Sequence, residues 1–161
     1  MAGNSNAQQP HIQPIAHNRR ALHDFEILDR LECGIVLTGT EVKSLRENRV
    51  SLEQAYAKIK EGEVWLLNCD IPEYSAAAYG NHEPKRPRKL LLHRREIARL
   101  AGKASQKGCT LIPLRMYFKN GWAKIELAVA RGKKQYDKRQ KIKEQEAQRE
   151  IARALARKRR R

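Results

Sequence analysis

IPLRMYFKNGWAKIELAV, residues Ile112 to Val129, is the stretch whose reading decides the fold. Ile112, Leu114, Met116 and Phe118 alternate with Arg115, Tyr117 and Lys119, the period of two expected of a strand with one buried face. Asn120-Gly121 comes next, and both residues tolerate the positive φ of a type I′ turn. On the return, Ala123, Ile125, Leu127 and Val129 share one face while Trp122, Lys124, Glu126 and Ala128 share the other. The pattern is an antiparallel hairpin. Pro113 has no amide proton to give a sheet, which places its stretch at a strand start or an edge.

Upstream, the same alternation recurs over residues 54–71. Ala55, Ala57 and Ile59 alternate with Tyr56, Lys58 and Lys60, Glu61-Gly62-Glu63 turns the chain, and Val64 to Ile71 returns. His23 to Leu37 is rich in β-formers and reads as a long strand or strand pair, with Gly34 marking a bulge or the close approach of another backbone. Thr38 and Glu41 have the spacing of a helix capping box, and Lys43 and Arg46 share an outward face of the short helix they open. Residues 73–87 form a loop ending in KRPRK, Lys85 to Lys89, a basic cluster that faces either solvent or RNA. A second helix spans about His93 to Gly108, with Ile97, Leu100, Ala101 and Ala104 inward.

These elements predict a fold that is mainly β with short helices, a small, partly open antiparallel β-barrel over residues 18–132. Its resemblance in outline to OB-fold barrels favours RNA as a partner without establishing it. Residues 1–17, with three Gln, two Asn and two Pro, are expected to be disordered. Residues 133–161 form a basic tail with high helix propensity and sparse large aliphatics, largely unstructured alone and helical against a partner.

Charge sets the partner class. The 161 residues carry 34 Lys and Arg against 18 Asp and Glu, a net of +16. Residues 131–161 hold 14 against 4, a net of +10, leaving +6 on residues 1–130. A basic body with a separately basic tail implies two contacts with polyanions, and phosphate backbones are the commonest such partner. A membrane is not implied, because no apolar run approaches the roughly 18 residues of a spanning helix. The N-terminus lacks a basic and apolar leader, so a cytoplasmic location is expected.

No catalytic constellation emerges. His11, His17, His23, His82 and His93 are scattered, and Cys33, Cys69 and Cys109 lie far apart without zinc-ligand spacing, so neither a metal nor a cofactor is implied. Aromatic residues interleave with cations at Trp122/Lys124, Tyr117/Lys119 and Tyr136/Lys134. Such rings either stack bases or cover barrel surface, and for Trp122 and Tyr117 both readings stand. A ribosomal structural protein would share the small, basic, tailed character.

Four blocks then carry a resemblance: NRRALHDF (Asn18–Phe25), LECGIVLTGTEVKSLR (Leu31–Arg46), PKRPRKLLL (Pro84–Leu92) and GKKQYDKR (Gly132–Arg139). In this order they closely resemble SmpB, the SsrA-binding protein family of bacteria. The resemblance implies a non-enzymatic adaptor of trans-translation. Such an adaptor binds the tRNA-like domain of transfer-messenger RNA and brings it to ribosomes stalled on messages without a stop codon, so that the nascent peptide is tagged for degradation. RNA-binding positions implied in this way are Asn18, Arg19, Arg20, His23, Glu32, Leu91, Lys124, Lys133 and Lys134, to which the basic character of Lys43, Arg88 and Lys89 adds three. Tyr136, Asp137, Lys138, Arg139, Ala154 and Leu155 are implied to act at the small ribosomal subunit, where ribosomal RNA orders the tail as a helix in the empty message channel. Elongation factor Tu is implied in the delivered complex.

Overall fold

A computed structural model describes residues 9–133 and 135–158, in the order β1 (Ile12–His17), α1 (Arg19–Asp24), β2 (Phe25–Ile35), α2 (Gly39–Arg46), β3 (Tyr56–Lys60), β4 (Glu63–Leu67), β5 (Arg88–Leu91), α3 (Arg94–Ala104), β6 (Cys109–Lys119), β7 (Trp122–Gly132) and α4 (Gln135–Lys158). The chain divides into two compact units between Arg131 and Gly132. Within the first, β6, β3, β4, β5, β2 and β7 are neighbours in that order, and β7 pairs with β6 again. Six strands therefore close a ring, which leaves few exposed edges.

The hairpin read first from the sequence is the longest pairing, from Lys119↔Trp122 to Cys109↔Arg131. Its turn residues Asn120 and Gly121 have φ of 50° and 82°. Pro113, however, sits at neither a strand start nor an edge. It pairs with Leu127 at a register shift before Arg115, in a strand with neighbours on both sides, and a bulge is the other setting in which a sheet accepts proline. The shift also divides the apolar residues expected to share one face. Ile112 and Leu114 pack with Ala21, Ala128 and Ala130 in a small cluster, whereas Met116 and Phe118 join the main core with Ile125, Leu127 and Val129.

The expectation of disorder through residue 17 gives way at Ile12. Residues Ile12–His17 pair with β6 from Ile12↔Lys119 to His17↔Arg115, on the edge that β3 leaves free after Leu111. Asn120 fastens this strand, donating its amide to His11 O at 3.0 Å and accepting from His11 N on its side chain at 3.0 Å. A short polar segment gains structure because a ready-made edge supplies its hydrogen bonds.

Two helices pack against the core of the ring. Thr38 N donates to Glu41 Oε2 at 2.7 Å, the half of the capping box in which the third helical residue reaches back, and Leu45 and Leu100 carry α2 and α3 into the core. Full burial of each leucine contributes about 1.5–3 kcal/mol. The tail carries helix α4, as its helix propensity leads one to expect; no Gly or Pro interrupts it, and Ile142, Ile151 and Leu155 are all exposed.

Candidate nucleic-acid interface

Side chains opposite one another in an antiparallel ladder point to the same face. The pairs Tyr117↔Lys124 and Lys119↔Trp122 therefore put two cations and two rings on one outer surface of the ring. Trp122 is 75% exposed, while Tyr117 is buried and donates its hydroxyl to Glu32 Oε2. The two aromatics that the sequence left open separate here: Tyr117 supports the surface and Trp122 stands on it.

Glu32 also accepts from Lys119 Nζ at 3.0 and 3.3 Å. Burial alone would raise its carboxyl, but the bonds from Tyr117 and Lys119 and the charges of Lys119 and Lys124 outweigh burial and hold it below the usual carboxylate range. It is thus an anion whose charge is already answered by protein groups. Burial, and then Glu32, pushes the Tyr117 phenol up, so Tyr117 remains a donor.

Beside this surface lies an open groove of about 450 Å³ that brings together Glu32, Gly34, Leu91, His93 and Lys124. Gly34 pairs with Leu91, and a Cβ on Gly34 would come within 3.3 Å of the Leu91 Cβ. That is the close approach its position in the sequence signalled. Three consecutive leucines follow from the strand's alternation: Leu90 is buried, Leu91 is 52% exposed over the groove, and Leu92 turns into the edge of the core. Cys33 floors the groove, bonded to Ile125 O at 3.4 Å, and burial pushes its thiol up to about 12, so it is an inert wall.

Around α1, Asp24 holds Arg20 at 3.3 Å and His23 at 3.0 Å, leaving both side chains mostly exposed. Asn18 is 3% exposed. Its amide donates to Leu52 O and Pro113 O, and its oxygen accepts from Ala21 N, so its side chain anchors α1. The Asn18 side chain expected at RNA thus lies inside the protein, its donors and acceptor engaged in positioning α1.

The chain matches the family model described as SmpB protein over residues 15–157. The chain belongs to the SmpB family. Relatives called SsrA-binding protein include those of Acidothermus cellulolyticus, 63% identical over 89% of this chain and 90% of its own, and of Thermobifida fusca, 61% identical over 90% and 91%. A solved chain from work on tmRNA-SmpB and the centre of the bacterial ribosome is 51% identical, covers 76% of this chain and 86% of its own, and superposes with a TM-score of 0.65.

Among the positions that SmpB membership implied, the structure brings Glu32, Leu91 and Lys124 to one groove, and it leaves Arg19, Arg20 and His23 exposed around α1. Arg88 departs most from its expected place. It is 0% exposed, donating to Glu41 Oε1 at 2.8 Å, Cys69 O at 2.6 Å and Pro84 O at 2.9 Å. The side chain expected at RNA lies inside the protein, where the fold aims three acceptors at a donor fork of matching geometry. Lys89 is half-committed to Glu63 at 2.7 Å, and Lys43 lies 5.5 Å from the Tyr74 ring centroid. Lys133 is partly buried, whereas Ala154 and Leu155 are exposed on α4. Lys134 lies outside the described residues, as do the side chains of Tyr136, Asp137, Lys138 and Arg139.

Sequence reasoning missed Tyr117 as the residue that orders Glu32. Its alternation with Met116 and Phe118 signalled an outward ring but not the carboxylate 85 positions away. Among the described residues no helix is long and apolar enough to cross a membrane, and no group of three or more His, Cys, Asp or Glu is placed to hold a metal ion.

Proposed function

We propose that this protein is the RNA-binding adaptor of trans-translation, binding transfer-messenger RNA and bringing it to stalled ribosomes. The observation that carries the reading is the convergence of Glu32, Leu91 and Lys124 on one groove in a chain of this family. Leu91 offers an apolar platform to an unstacked base, which folded RNA loops present and regular duplex does not. Lys124 supplies positive charge beside it, and the neutralised Glu32 accepts hydrogen bonds from base or ribose groups without the repulsion of a bare anion. Arg19, Arg20 and His23 add phosphate contacts around α1.

In this proposal the body grips the RNA and the tail, residues 133–161, acts at the small subunit. Lys133 and Lys134 continue the RNA contact, and Tyr136, Asp137, Lys138, Arg139, Ala154 and Leu155 serve in the message channel. Elongation factor Tu travels in the delivered complex, the work is cytoplasmic, and no catalytic step is assigned to the chain.

The test is sequencing of the RNA that copurifies with the full chain after a high-salt wash, which strips nonspecific phosphate contacts first. One dominant transfer-messenger RNA is the expected result; a spread of ribosomal RNA fragments would point to a structural ribosomal protein. Removing the residues after Lys134 should spare that RNA and abolish peptide tagging, and loss of both together would end the two-contact scheme.

A further inference from the structure

Tyr79 is 95% exposed, the most exposed of the large hydrophobic side chains among the described residues. It stands in the loop between β4 and β5, in the run Ser75-Ala76-Ala77-Ala78-Tyr79-Gly80, where no neighbour has a side chain large enough to shelter a ring. The loop around it is nevertheless firmly clasped. Asn81 donates to Tyr74 O at 2.9 Å and accepts from Tyr74 N at 3.1 Å, bracketing the segment with one side chain. His82, itself buried, bonds Thr40 Oγ1 at 2.9 Å and Ile71 O at 2.8 Å, and Ile71 N donates to Pro84 O at 3.0 Å. Cations line the base of the clasp. Lys43 of α2 lies over the Tyr74 ring, Arg49 donates to Glu73 O at 3.3 Å, and Arg46 is exposed on the same helix.

A held loop that offers one bare aromatic ring beside cations has the parts of a base-stacking platform, since the ordering cost is met before any ligand arrives. Its place in the fold separates it from the groove. The loop enters β5 at Arg88, and the groove lies where β5 ends at Leu91, about 10 Å further at roughly 3.3 Å per residue. The two ends of β5 thus carry different surfaces, the loop at one and the groove at the other.

We infer that the loop Tyr74–Asn81 is a second RNA-contacting element, in which Tyr79 stacks on an unpaired base of ribosomal RNA while Lys43 and Arg46 face the neighbouring phosphates. This rests on the adaptor reading, which supplies two RNAs to be bridged. It also gives an occupation to the outward Lys43 and Arg46 that the groove does not use.

The experiment compares the wild-type full chain, Tyr79→Ala and Tyr79→Phe, each loaded with transfer-messenger RNA and titrated onto purified ribosomes stalled on a truncated message. Loading affinity and thermal melting are measured separately, and ultraviolet crosslinking identifies what Tyr79 touches. Tyr79→Ala is expected to melt and load as the wild type but bind ribosomes about fivefold or more weakly, with Tyr79→Phe restoring binding because the ring is retained. A crosslink to a ribosomal RNA base is expected. Undiminished ribosome binding by Tyr79→Ala, loss of loading instead, or a crosslink to a ribosomal protein would each overturn the assignment. Failure of the wild type to load would instead strike the adaptor reading itself.

Discussion

Arg88 and Lys124 are both cations on strands of the ring, both expected at RNA, and the fold turns them in opposite directions. Arg88 ends among Glu41, Cys69 O and Pro84 O with no exposed surface, and Lys124 lines a groove whose two carboxylates are already engaged, Glu32 by Tyr117 and Lys119 and Glu96 by His93 N. The difference teaches that positive charge in a sequence does not report its own direction. What separates the two is the number of acceptors the chain aims at each. A planar guanidinium satisfied on every side becomes part of the core, whereas an ammonium beside an occupied carboxylate stays available to phosphate.

The comparison breaks most directly at Arg88→Ala. The change leaves buried Glu41 with Arg86 as its remaining cation, beside Thr38 N, and removing one member of a buried pair costs about 3–5 kcal/mol, read as a large fall in the urea midpoint. Lys124→Ala should change stability by less than about 0.5 kcal/mol and so leave that midpoint nearly unmoved. Equal midpoints would erase the distinction.

Acid makes a related test without mutation. Burial raises the Glu41 carboxyl, but Arg86 above all, then Thr38 N and Arg88, bring it below its ordinary 4.5. A carboxyl depressed in the folded state contributes stability that is complete above 4.5 and is lost as the pH falls below it. Glu41→Gln should therefore flatten the acid limb of the stability curve. A limb as steep as the wild type's would place the acid-sensitive group elsewhere, with Asp29, held below its usual range chiefly by Lys103, the next to examine.

The smallest expected effect sharpens the other side. Lys124→Ala should weaken transfer-messenger RNA binding while lowering the salt dependence by about one phosphate contact. A weakened complex with an unchanged salt slope would assign Lys124 to a base edge.

How far the sequence reached follows from the range of the interactions. The β6–β7 hairpin and the Glu41 half of the capping box were legible because their signals, Asn120-Gly121 and Thr38 to Glu41, lie within four residues. Gly34 was legible as a close approach, though not its partner, since Leu91 is 57 positions away. Strand β1 was not legible, because IQPIAH has weak alternation and acquires its order from an edge a hundred residues downstream. Arg88 failed for the same reason: its carboxylate partner lies 47 positions upstream, and KRPRK read locally is only a basic cluster.

That first strand also sets a timetable. Ile12 is among the earliest residues made, yet its partner Lys119 follows 107 positions later, so at about 5–20 residues per second the segment waits roughly 5–20 s for its edge. The ring cannot close before β7 is synthesised, because β7 joins both β2 and β6. Contacts this distant in sequence slow the folding search, which makes the newborn chain a slow folder whose ring is completed only when about four-fifths of it exists.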